Sequence, residues 1–372
     1  MKKINCIFLI FISNFIYSQN NFEINLTANS YINDSLMFGA PSTRNGFGDL
    51  YTFKISPNKN VSDFGQKITM DHSVYYLKIQ KENTINGFIE YPQPVSFVHL
   101  DKKNKSASSS KIFFLEKGKY KIDLPSLSNG LEINIESPTN LDYKNLQKTL
   151  EPVYVKSKKP YEMDSLISLK EKQKILGEYI KKRSDSYAAL WEILNDYTLY
   201  NYHSDYLKNM KLFSTKFKEN KLFKNIESRL KSESLTAIGN KIPDIYFDKQ
   251  NKLMTEDFKK YSLTFIDYWS TSCAPCIKSM PEIVALHEEF KNVNFITITD
   301  ENKTERMQLA KNILKKNNVT WTNFFDRNKD FQKKVNATSY PLYFLIDKDG
   351  KIIARSMGDI EEVKKKMTEY LK

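Results

Sequence analysis

Residues 263–276 read LTFIDYWSTSCAPC, an apolar run followed by two cysteines three positions apart. The run Leu263–Trp269 is rich in β-branched and aromatic residues and predicts a buried strand, whereas Ala274–Phe290 predicts a helix. Cys273 and Cys276 therefore lie where a strand gives way to a helix. A C-x-x-C spacing alone is weak evidence, but in this context it predicts thiol–disulfide chemistry.

The positions of the two cysteines predict different roles for them. At a helix N-terminus, free N–H groups and the positive end of the helix dipole favour the Cys273 thiolate, which makes this residue the attacking nucleophile. Cys276 lies one turn further along and would resolve the mixed disulfide with a substrate. Pro275 suits the first helical turn, because its missing N–H would have no partner there.

The region around this junction alternates between strand and helix patterns from Gly239 onward. Such alternation predicts an α/β domain with a mixed sheet. The predicted elements after the active-site strand are the helix Ala274–Phe290, the strand Asn294–Thr299, the helix Lys303–Lys316, the strands Leu342–Ile346 and Lys351–Arg355, and the helix Ile360–Leu371.

Upstream of this region the pattern divides into two further parts. Short β-branched and aromatic runs such as Leu50–Ile55 and Leu131–Ile135 predict an all-β, sandwich-like domain, and from Asp164 to Leu235 the apolar period becomes helical. The predicted organisation is a signal peptide at 1–18, a β-rich domain at 19–137, a helical linker domain at 138–237 and a redox domain at 238–372.

The first residues predict export. A basic start at Met1–Lys3 precedes an apolar run at Ile4–Ile16, which is typical of a secretory signal and is shorter than the roughly 20 residues that span a bilayer as a helix. Removal of 1–18 takes Cys6 with it and leaves no stable transmembrane segment, so we expect a periplasmic or cell-envelope protein. The mature chain then keeps only Cys273 and Cys276, which form a local pair.

The basic composition does not predict a nucleic-acid partner. The chain has 57 Lys and Arg against 44 Asp and Glu, a net charge of +13. Only six of the basic residues are Arg, and they form no cluster that could make bidentate phosphate contacts.

The segment Asp267–Cys276 resembles the active-site segment of the thioredoxin superfamily. Asp267 matches the acidic residue that thioredoxins bury beneath the second cysteine, Pro281 the proline of the active-site helix, and Pro341 the cis-proline that faces the disulfide. The lead-in Ile238–Asp244 is similar to that of the TlpA/ResA-like envelope oxidoreductases, especially the multi-domain Bacteroidetes type. The resemblance covers about 238–372 and implies a thioredoxin-like fold there.

The resemblance also implies roles for individual residues. A desolvated carboxyl at Asp267 would take the proton from Cys276 during resolution. Pro341, if cis, would place the backbone of Tyr340 beside an incoming peptide. The residues expected to contact substrate around the sulfurs are Trp269, Tyr340, Ala274 and Pro275.

Two departures from the family pattern affect specificity. Ser272 stands where many relatives have Trp, and Ala274 stands where some reductive members have Glu. A substrate contact and a second acid would then be absent. Neither residue between the cysteines is His, which favours a reducing or isomerising couple over a strongly oxidising one.

The resulting hypothesis is an exported thiol–disulfide oxidoreductase, acting as a reductant on cysteines of exported client proteins and recharged by a membrane electron-relay protein. Its redox-active group is the Cys273–Cys276 disulfide, with no other cofactor and no metal. Three alternatives remain at this point: a peroxiredoxin-like peroxidase, a copper(I)-binding protein using the two cysteines with Met280 or His287, and a redox-inactive binding module.

Overall fold

The computed structural model describes residues 20–28, 35–41, 48–56, 58–63, 74–101, 106–124, 132–154, 166–337 and 339–371. The predicted signal peptide at 1–18 lies outside these residues. Of the described residues, those up to 41 together with those in 51–141 form one compact unit, and 48–50 together with those from 142 onward form another. Within the described ranges, no helix combines the length and the apolar character needed to cross a membrane.

The first unit is a β-sandwich, as the alternating patterns predict. Its smaller sheet has the order β10-β1-β6-β3, and its larger sheet has the order β4-β5-β2-β7-β8 with β9 also paired to β7. The strands are β1 (Phe22–Ala28), β2 (Ser35–Gly39), β3 (Lys54–Ile55), β4 (Val61–Asp63), β5 (Val74–Lys78), β6 (Glu82–Phe88), β7 (Gln93–Asp101), β8 (Ser106–Ser109), β9 (Phe113–Leu115) and β10 (Gly118–Leu124).

The two sheets share one apolar core. Phe22 and Leu26 of β1 contribute to the same buried cluster as Phe38 of β2 and Phe97 of β7. The rings of Phe38 and Phe97 are stacked with their centroids 4.8 Å apart. Buried and more exposed positions alternate along β1 and β10, which is the pattern that a half-buried sheet requires.

Two predicted strands of this unit are wrong. Leu50–Ile55 is a 3₁₀ turn (Gly48–Leu50) followed by irregular chain and the two-residue strand β3. The described part of Leu131–Ile135 forms no strand, although Ile133 and Ile135 are both buried in the sandwich core. Apolar side chains can be buried at alternating positions of a segment that pairs with no other strand. The periodicity alone was therefore insufficient to predict a strand here.

The middle of the chain is helical, as predicted. Leu169, Leu176 and Ile180 form one buried face and Leu222, Ile226 and Leu230 another. The helices are α1 (Pro138–Tyr154), α2 (Leu166–Lys182), α3 (Tyr187–Tyr200), α4 (Ser204–Met210), α5 (Thr215–Lys218) and α6 (Lys221–Leu235).

A buried ion pair joins α2 to α3. The side chain of Lys172 is 1% exposed and its Nζ contacts the carboxylates of Glu192 and Asp196. Gln173 Nε2 donates to the other oxygen of Asp196 at 2.6 Å. Burial disfavours the ammonium, but the two carboxylates outweigh it and hold the pKa of Lys172 well above its ordinary value.

The C-terminal region is built on a mixed sheet with the order β15-β14-β13-β16-β17. β13, β14 and β15 are parallel, whereas β16 and β17 are antiparallel to their neighbours. The elements are β11 (Ile245–Tyr246), β12 (Lys252–Leu253), α7 (Thr255–Phe258), β13 (Leu263–Trp269), α8 (Ala274–Glu289), β14 (Val293–Thr299), α9 (Thr304–Lys316), β15 (Thr322–Phe325), α10 (Asp330–Lys334), β16 (Leu342–Asp347), β17 (Ile352–Met357) and α11 (Glu361–Leu371).

This architecture is the thioredoxin-like α/β fold that the resemblance implies. Each predicted helix and strand of the region is present, with ends displaced by one or two residues. The edge strand β15 and the short helix α10 were not predicted. Both are four or five residues long, and β15 is only partly buried, so neither carries a strong periodic signal.

Replacement of Lys172 by Met should destabilise the protein strongly. The change leaves Glu192 and Asp196 buried without a counter-charge, a loss of about 3–5 kcal/mol in the free energy of unfolding. Urea unfolding followed by circular dichroism measures it. Lys181→Met is the matched control on the same helix, because that side chain is 54% exposed and should contribute at most about 1 kcal/mol. Equal losses in the two variants would contradict the assignment.

Candidate active site

The site begins with the central strand β13, all seven residues of which are buried. β13 lies between parallel β14 and antiparallel β16, so that Asp267 is level with Thr297 on one side and Tyr343 on the other. The backbone N–H of Asp300 donates to the carbonyl of Trp269 at 2.8 Å and holds the end of the strand. The chain then turns directly into α8.

The two cysteines form a disulfide at the start of α8, with their Cα atoms 5.3 Å apart. Cys273 is the N-cap residue, and its Sγ accepts the backbone N–H of Cys276 at 3.2 Å. Cys273 is partly exposed, whereas Cys276 is 1% exposed. Only Cys273 can therefore meet a bulky reactant. The helix N-terminus directs positive potential at its sulfur, which favours a thiolate there.

The residues between the cysteines are accessible. Ala274 and Pro275 are both exposed, and Pro275 lies in the first turn of α8, where it removes no helical hydrogen bond. Both residues are accessible beside Cys273, and their contact with a substrate stays a prediction.

Asp267 is a buried carboxyl on the face of β13 that α8 covers. Its neighbours on that face, Phe265 and Trp269, pack against residues of α8. Oδ1 of Asp267 has no hydrogen-bond partner among the described residues. Burial without a compensating partner raises the pKa of Asp267 to about 7.

A second polar group on this face was not predicted from the sequence. Tyr343 of β16 is level with Asp267, and its hydroxyl shares a 2.9 Å hydrogen bond with the hydroxyl of Ser279. Ser279 in turn is 2.9 Å from the carbonyl oxygen of Cys276, to which its hydroxyl can donate. Burial and the nearby Asp267 raise the pKa of Tyr343 above its ordinary value. The tertiary pairing of β13 with β16 is what brings these residues together.

The Tyr340–Pro341 peptide bond is cis. The carbonyl of Pro341 accepts the backbone N–H of Gly358 at 2.8 Å. Tyr340 is partly buried and packs in the cluster that contains Cys273 and Cys276. The structure therefore places Tyr340 beside the disulfide. We term residues 339–341 the cis-proline loop.

Trp269 differs from its predicted place. We expect it in an exposed rim around the sulfurs, but the side chain is fully buried and lies in the apolar cluster with Cys276 and Met280. It is the last residue of a central strand, covered on that face by α8 and by Ala310 and Leu314 of α9. It can support the disulfide from below and cannot contact a substrate directly.

Two acidic residues at the end of β14 hold the loops on either side of the disulfide. Asp300 accepts a hydrogen bond from the hydroxyl of Tyr340 and forms an ion pair with Lys329. Glu301 accepts the backbone N–H of Thr271 at 3.0 Å and also its hydroxyl. Although burial opposes it, the hydrogen bonds from Thr271 and Arg306 lower the pKa of Glu301.

Sequence reasoning missed this acidic pair. The signal that could have found it is its position, because Asp300 and Glu301 directly follow β14, the parallel neighbour of β13. The carboxyl ends of parallel strands meet at one edge of a sheet, where functional sites of α/β folds gather. Although Ala274 stands where some relatives have Glu, Asp300 and Glu301 still supply carboxylates close to the disulfide.

The structure separates the residues considered for copper. Met280 packs beside Cys276, whereas His287 packs edge-on to Phe295 and tilted against Trp321, with ring centroids 5.1 and 4.7 Å away. Over the ranges that the structure describes, no three His, Cys, Asp or Glu side chains are grouped so that they could hold a metal ion.

Known proteins are similar to this part of the chain. The Redoxin family model matches residues 237–371. The thiol-disulfide oxidoreductase ResA of Bacillus thuringiensis subsp. konkukian is 31% identical over 143 residues, which is 38% of this chain and 80% of the relative. The sporulation thiol-disulfide oxidoreductase A of Bacillus subtilis is 24% identical over 97 residues, covering 26% of this chain and 59% of that protein.

Two solved structures are also similar to this region. The thioredoxin domain of a thiol-disulfide oxidoreductase from Bacteroides vulgatus has a TM-score of 0.32 at 20% identity, covering 37% of this chain and 99% of that one. StoA from Bacillus subtilis has a TM-score of 0.29 at 19% identity, covering 34% of this chain and 97% of that one.

Replacement of Asp267 by Asn should stabilise the oxidised protein at alkaline pH. The folded carboxyl has a pKa of about 7 against an ordinary value of 3.8, so the unfolded chain releases its proton first. The stability of the wild type therefore falls as the pH rises from about 4 to about 7 and stays low above that. The variant lacks this loss and should gain on the order of 2–4 kcal/mol at about pH 8, with little gain at about pH 4.

Urea unfolding at both pH values measures the difference. Asp248→Asn is the control, because Asp248 is exposed and hydrogen bonds from Asn251 lower its pKa, so its loss gives no gain at high pH. An Asp267→Asn variant with the same change in stability at both pH values would show that Asp267 does not titrate as described.

Proposed function

Because the chain belongs to the TlpA/ResA-like thiol-disulfide oxidoreductases of the thioredoxin superfamily, we propose that it reduces disulfides in exported client proteins. The observation that carries this proposal is the asymmetry of the cysteine pair. A partly exposed Cys273 at a helix N-terminus is joined to a buried Cys276, and the buried carboxyl of Asp267 lies on the strand face that α8 covers. One sulfur is suited to attack and the other to resolution.

The first step in the reduced protein is attack on the client. The Cys273 thiolate attacks one sulfur of the client disulfide, forming a Cys273–client mixed disulfide and releasing the other client sulfur as a thiolate. The N–H groups at the start of α8 stabilise the attacking thiolate, and one of them, that of Cys276, points at the sulfur in the structure. Over this step and the next, the client disulfide accepts two electrons in total, and the dithiol of Cys273 and Cys276 supplies them.

The second step is resolution. Cys276 loses its proton and attacks Cys273 Sγ, which forms the Cys273–Cys276 disulfide and releases the second client thiolate. Asp267 is the proposed proton acceptor, since a carboxyl with a pKa of about 7 can both take and return a proton near neutral pH. Its burial under α8 keeps competing water away from this transfer.

Client binding is assigned to the cis-proline loop and the accessible start of α8. Tyr340, which precedes the cis Pro341, lies beside the disulfide, and an extended client segment can pair with its backbone as an added strand. Ala274 and Pro275 supply the facing surface. Trp269 acts only as support, because it is buried.

The sequence supports a proposal for the direction and the place of the reaction. The absence of His between the cysteines supports a reducing couple, and the apolar run within 1–18 supports export to the periplasm or cell envelope. A reductant outside the cytoplasm needs electrons from inside it, so a membrane electron-relay protein is the proposed donor.

The reduction potential of the Cys273–Cys276 couple tests the direction. The mature chain is equilibrated in thiol–disulfide buffers, alkylated, and its oxidised and reduced forms are quantified by mass. We expect a value near or below roughly −230 mV, because no histidine stabilises the thiolate between the cysteines. A value near about −120 mV would make the protein an oxidant, and the lack of any reversible couple would contradict redox activity altogether.

Replacement of Cys276 by Ser should trap the client. The variant can attack but cannot resolve, so mixed disulfides accumulate and appear as reductant-sensitive bands in non-reducing gels. Asp267→Asn should slow resolution by roughly a hundred-fold with attack unchanged, because it removes only the proton acceptor. Cys273→Ser is the control and should trap nothing. Trapping by Cys273→Ser instead would reverse the assigned roles of the cysteines.

A further inference from the structure

The end of α6 is tied to the redox region by a buried carboxylate. Glu233 lies in the last turn of α6 and is 1% exposed. Its Oε1 accepts hydrogen bonds from Nδ2 of Asn336 at 2.8 Å and from Nη2 of Arg355 at 3.2 Å. Its Oε2 accepts Nη1 of Arg355. Tyr197 of α3 also hydrogen-bonds to Glu233. We term Glu233, Asn336 and Arg355 the carboxylate clamp.

Neighbouring bonds strengthen the same junction. The carbonyl of Val335 accepts Nη2 of Arg355 at 3.2 Å and the buried hydroxyl of Thr236 at 3.4 Å. Asn240 Nδ2 donates to the carbonyl of Ser234 at 2.7 Å. Two direct hydrogen bonds therefore join the helical segment to the chain at Val335 and Asn336, one donated by Thr236 and one accepted by Glu233.

The clamp holds both sides of the cis-proline loop. Val335 and Asn336 precede the loop, and Asn336 has a positive φ of 50°. On the other side, β16 begins at Leu342 directly after Pro341, and Arg355 of β17 is level with Phe344 of β16. A shift of the clamp would thus move the entry to the loop and the strand beside its exit together.

Glu233 is costly where it lies. A carboxylate in the last turn of a helix opposes the helix dipole, and burial adds a desolvation cost that only close partners offset. Neither the interaction with the helix dipole nor the burial of the Glu233 carboxylate stabilises α6 itself. The hydrogen bonds of the Glu233 carboxylate to Asn336 and Arg355 indicate that the residue serves the junction with the C-terminal region. In some proteins, buried charged pairs of this kind fix one geometry.

Resting on the proposed function, we propose that Glu233 is a positioning residue for the cis-proline loop, and that the helical segment thereby contributes to binding of peptide clients. A client segment that pairs with the loop needs its backbone groups held in place, because small misplacements at a reacting site cost large factors in rate. A small disulfide that reaches Cys273 without pairing does not need the loop.

Two substrates with the same leaving group separate these cases. One is the small aromatic disulfide dithiobis(nitrobenzoic acid), and the other is a short peptide whose single cysteine carries the same nitrothiobenzoate group. Pre-reduced full-length mature protein is mixed with each, and release of the coloured thiolate gives the rate constant for attack by Cys273. For Glu233→Gln we expect a loss of about five- to ten-fold with the peptide and less than about two-fold with the small disulfide.

Two further variants complete the design. Asn336→Gly removes the amide contact with Glu233 while glycine tolerates the positive φ, so it should reproduce the selective loss if Glu233→Gln does not fold. Glu227→Gln is the matched control on the same helix, because Glu227 pairs only locally with Lys231 and should leave both rates unchanged. Hydrogen exchange of the Gly358 amide, which bonds to Pro341, should accelerate in the clamp variants alone.

The outcomes distinguish the two proposals. Clamp variants that fold and match the wild type on both substrates, or that lose both rates equally, overturn the positioning role. A wild-type protein that reduces neither disulfide contradicts the proposed function, whereas an active wild type with unaffected clamp variants contradicts only the role of Glu233.

Discussion

Asp267 is an ionisable carboxyl on a fully buried central strand, with one oxygen that has no hydrogen-bond partner among the described residues. Keeping it there costs free energy that the rest of the sheet must offset. The apolar residues of β13 and its neighbours on both faces provide that offset through two separate core clusters. The same burial moves the pKa of Asp267 to about 7, which suits it to the proton exchange with Cys276 that we propose. Stability and chemistry are thus opposed at this residue.

The carboxyl groups near the disulfide show how burial and hydrogen-bond donors set the pKa of the same chemical group. Oδ1 of Asp267 has no hydrogen-bond donor among the described residues and burial raises the pKa of this carboxyl, whereas hydrogen bonds from Thr271 and Arg306 lower the pKa of Glu301 despite burial. A carboxyl with a raised pKa on β13 and a carboxylate with a lowered pKa just after β14 therefore lie on neighbouring strands. Glu301 accepts hydrogen bonds from Thr271 in the loop before Cys273, and Asp300 beside it accepts one from Tyr340. Oδ1 of Asp267 has no such bond among the described residues, which suits the proton acceptance that we propose for it.

Buried charges also connect helices of the middle segment to one another and connect this segment to the C-terminal α/β region. Lys172 connects α2 to α3, and Glu233 connects α6 to Arg355 of the sheet. Replacing such pairs by apolar residues is often neutral or stabilising, so they are weak contributors to net stability. Their value is geometric, because each charge accepts few arrangements of its partners. This explains why the helical segment and the α/β region form one compact unit.

The sequence by itself determined the fold class, the strand–helix junction at Cys273 and Cys276, and the residue types around it. Those features are local, since apolar period, turn residues and spacing are read along the chain. The cis-proline loop was predicted only through resemblance, and the structure agrees on its place. Which side chains meet across the sheet was decided by tertiary pairing, as for Tyr343 with Ser279 and for the burial of Trp269. Contacts such as Glu233 with Arg355 join residues 122 positions apart, and no periodicity encodes a partner at that distance.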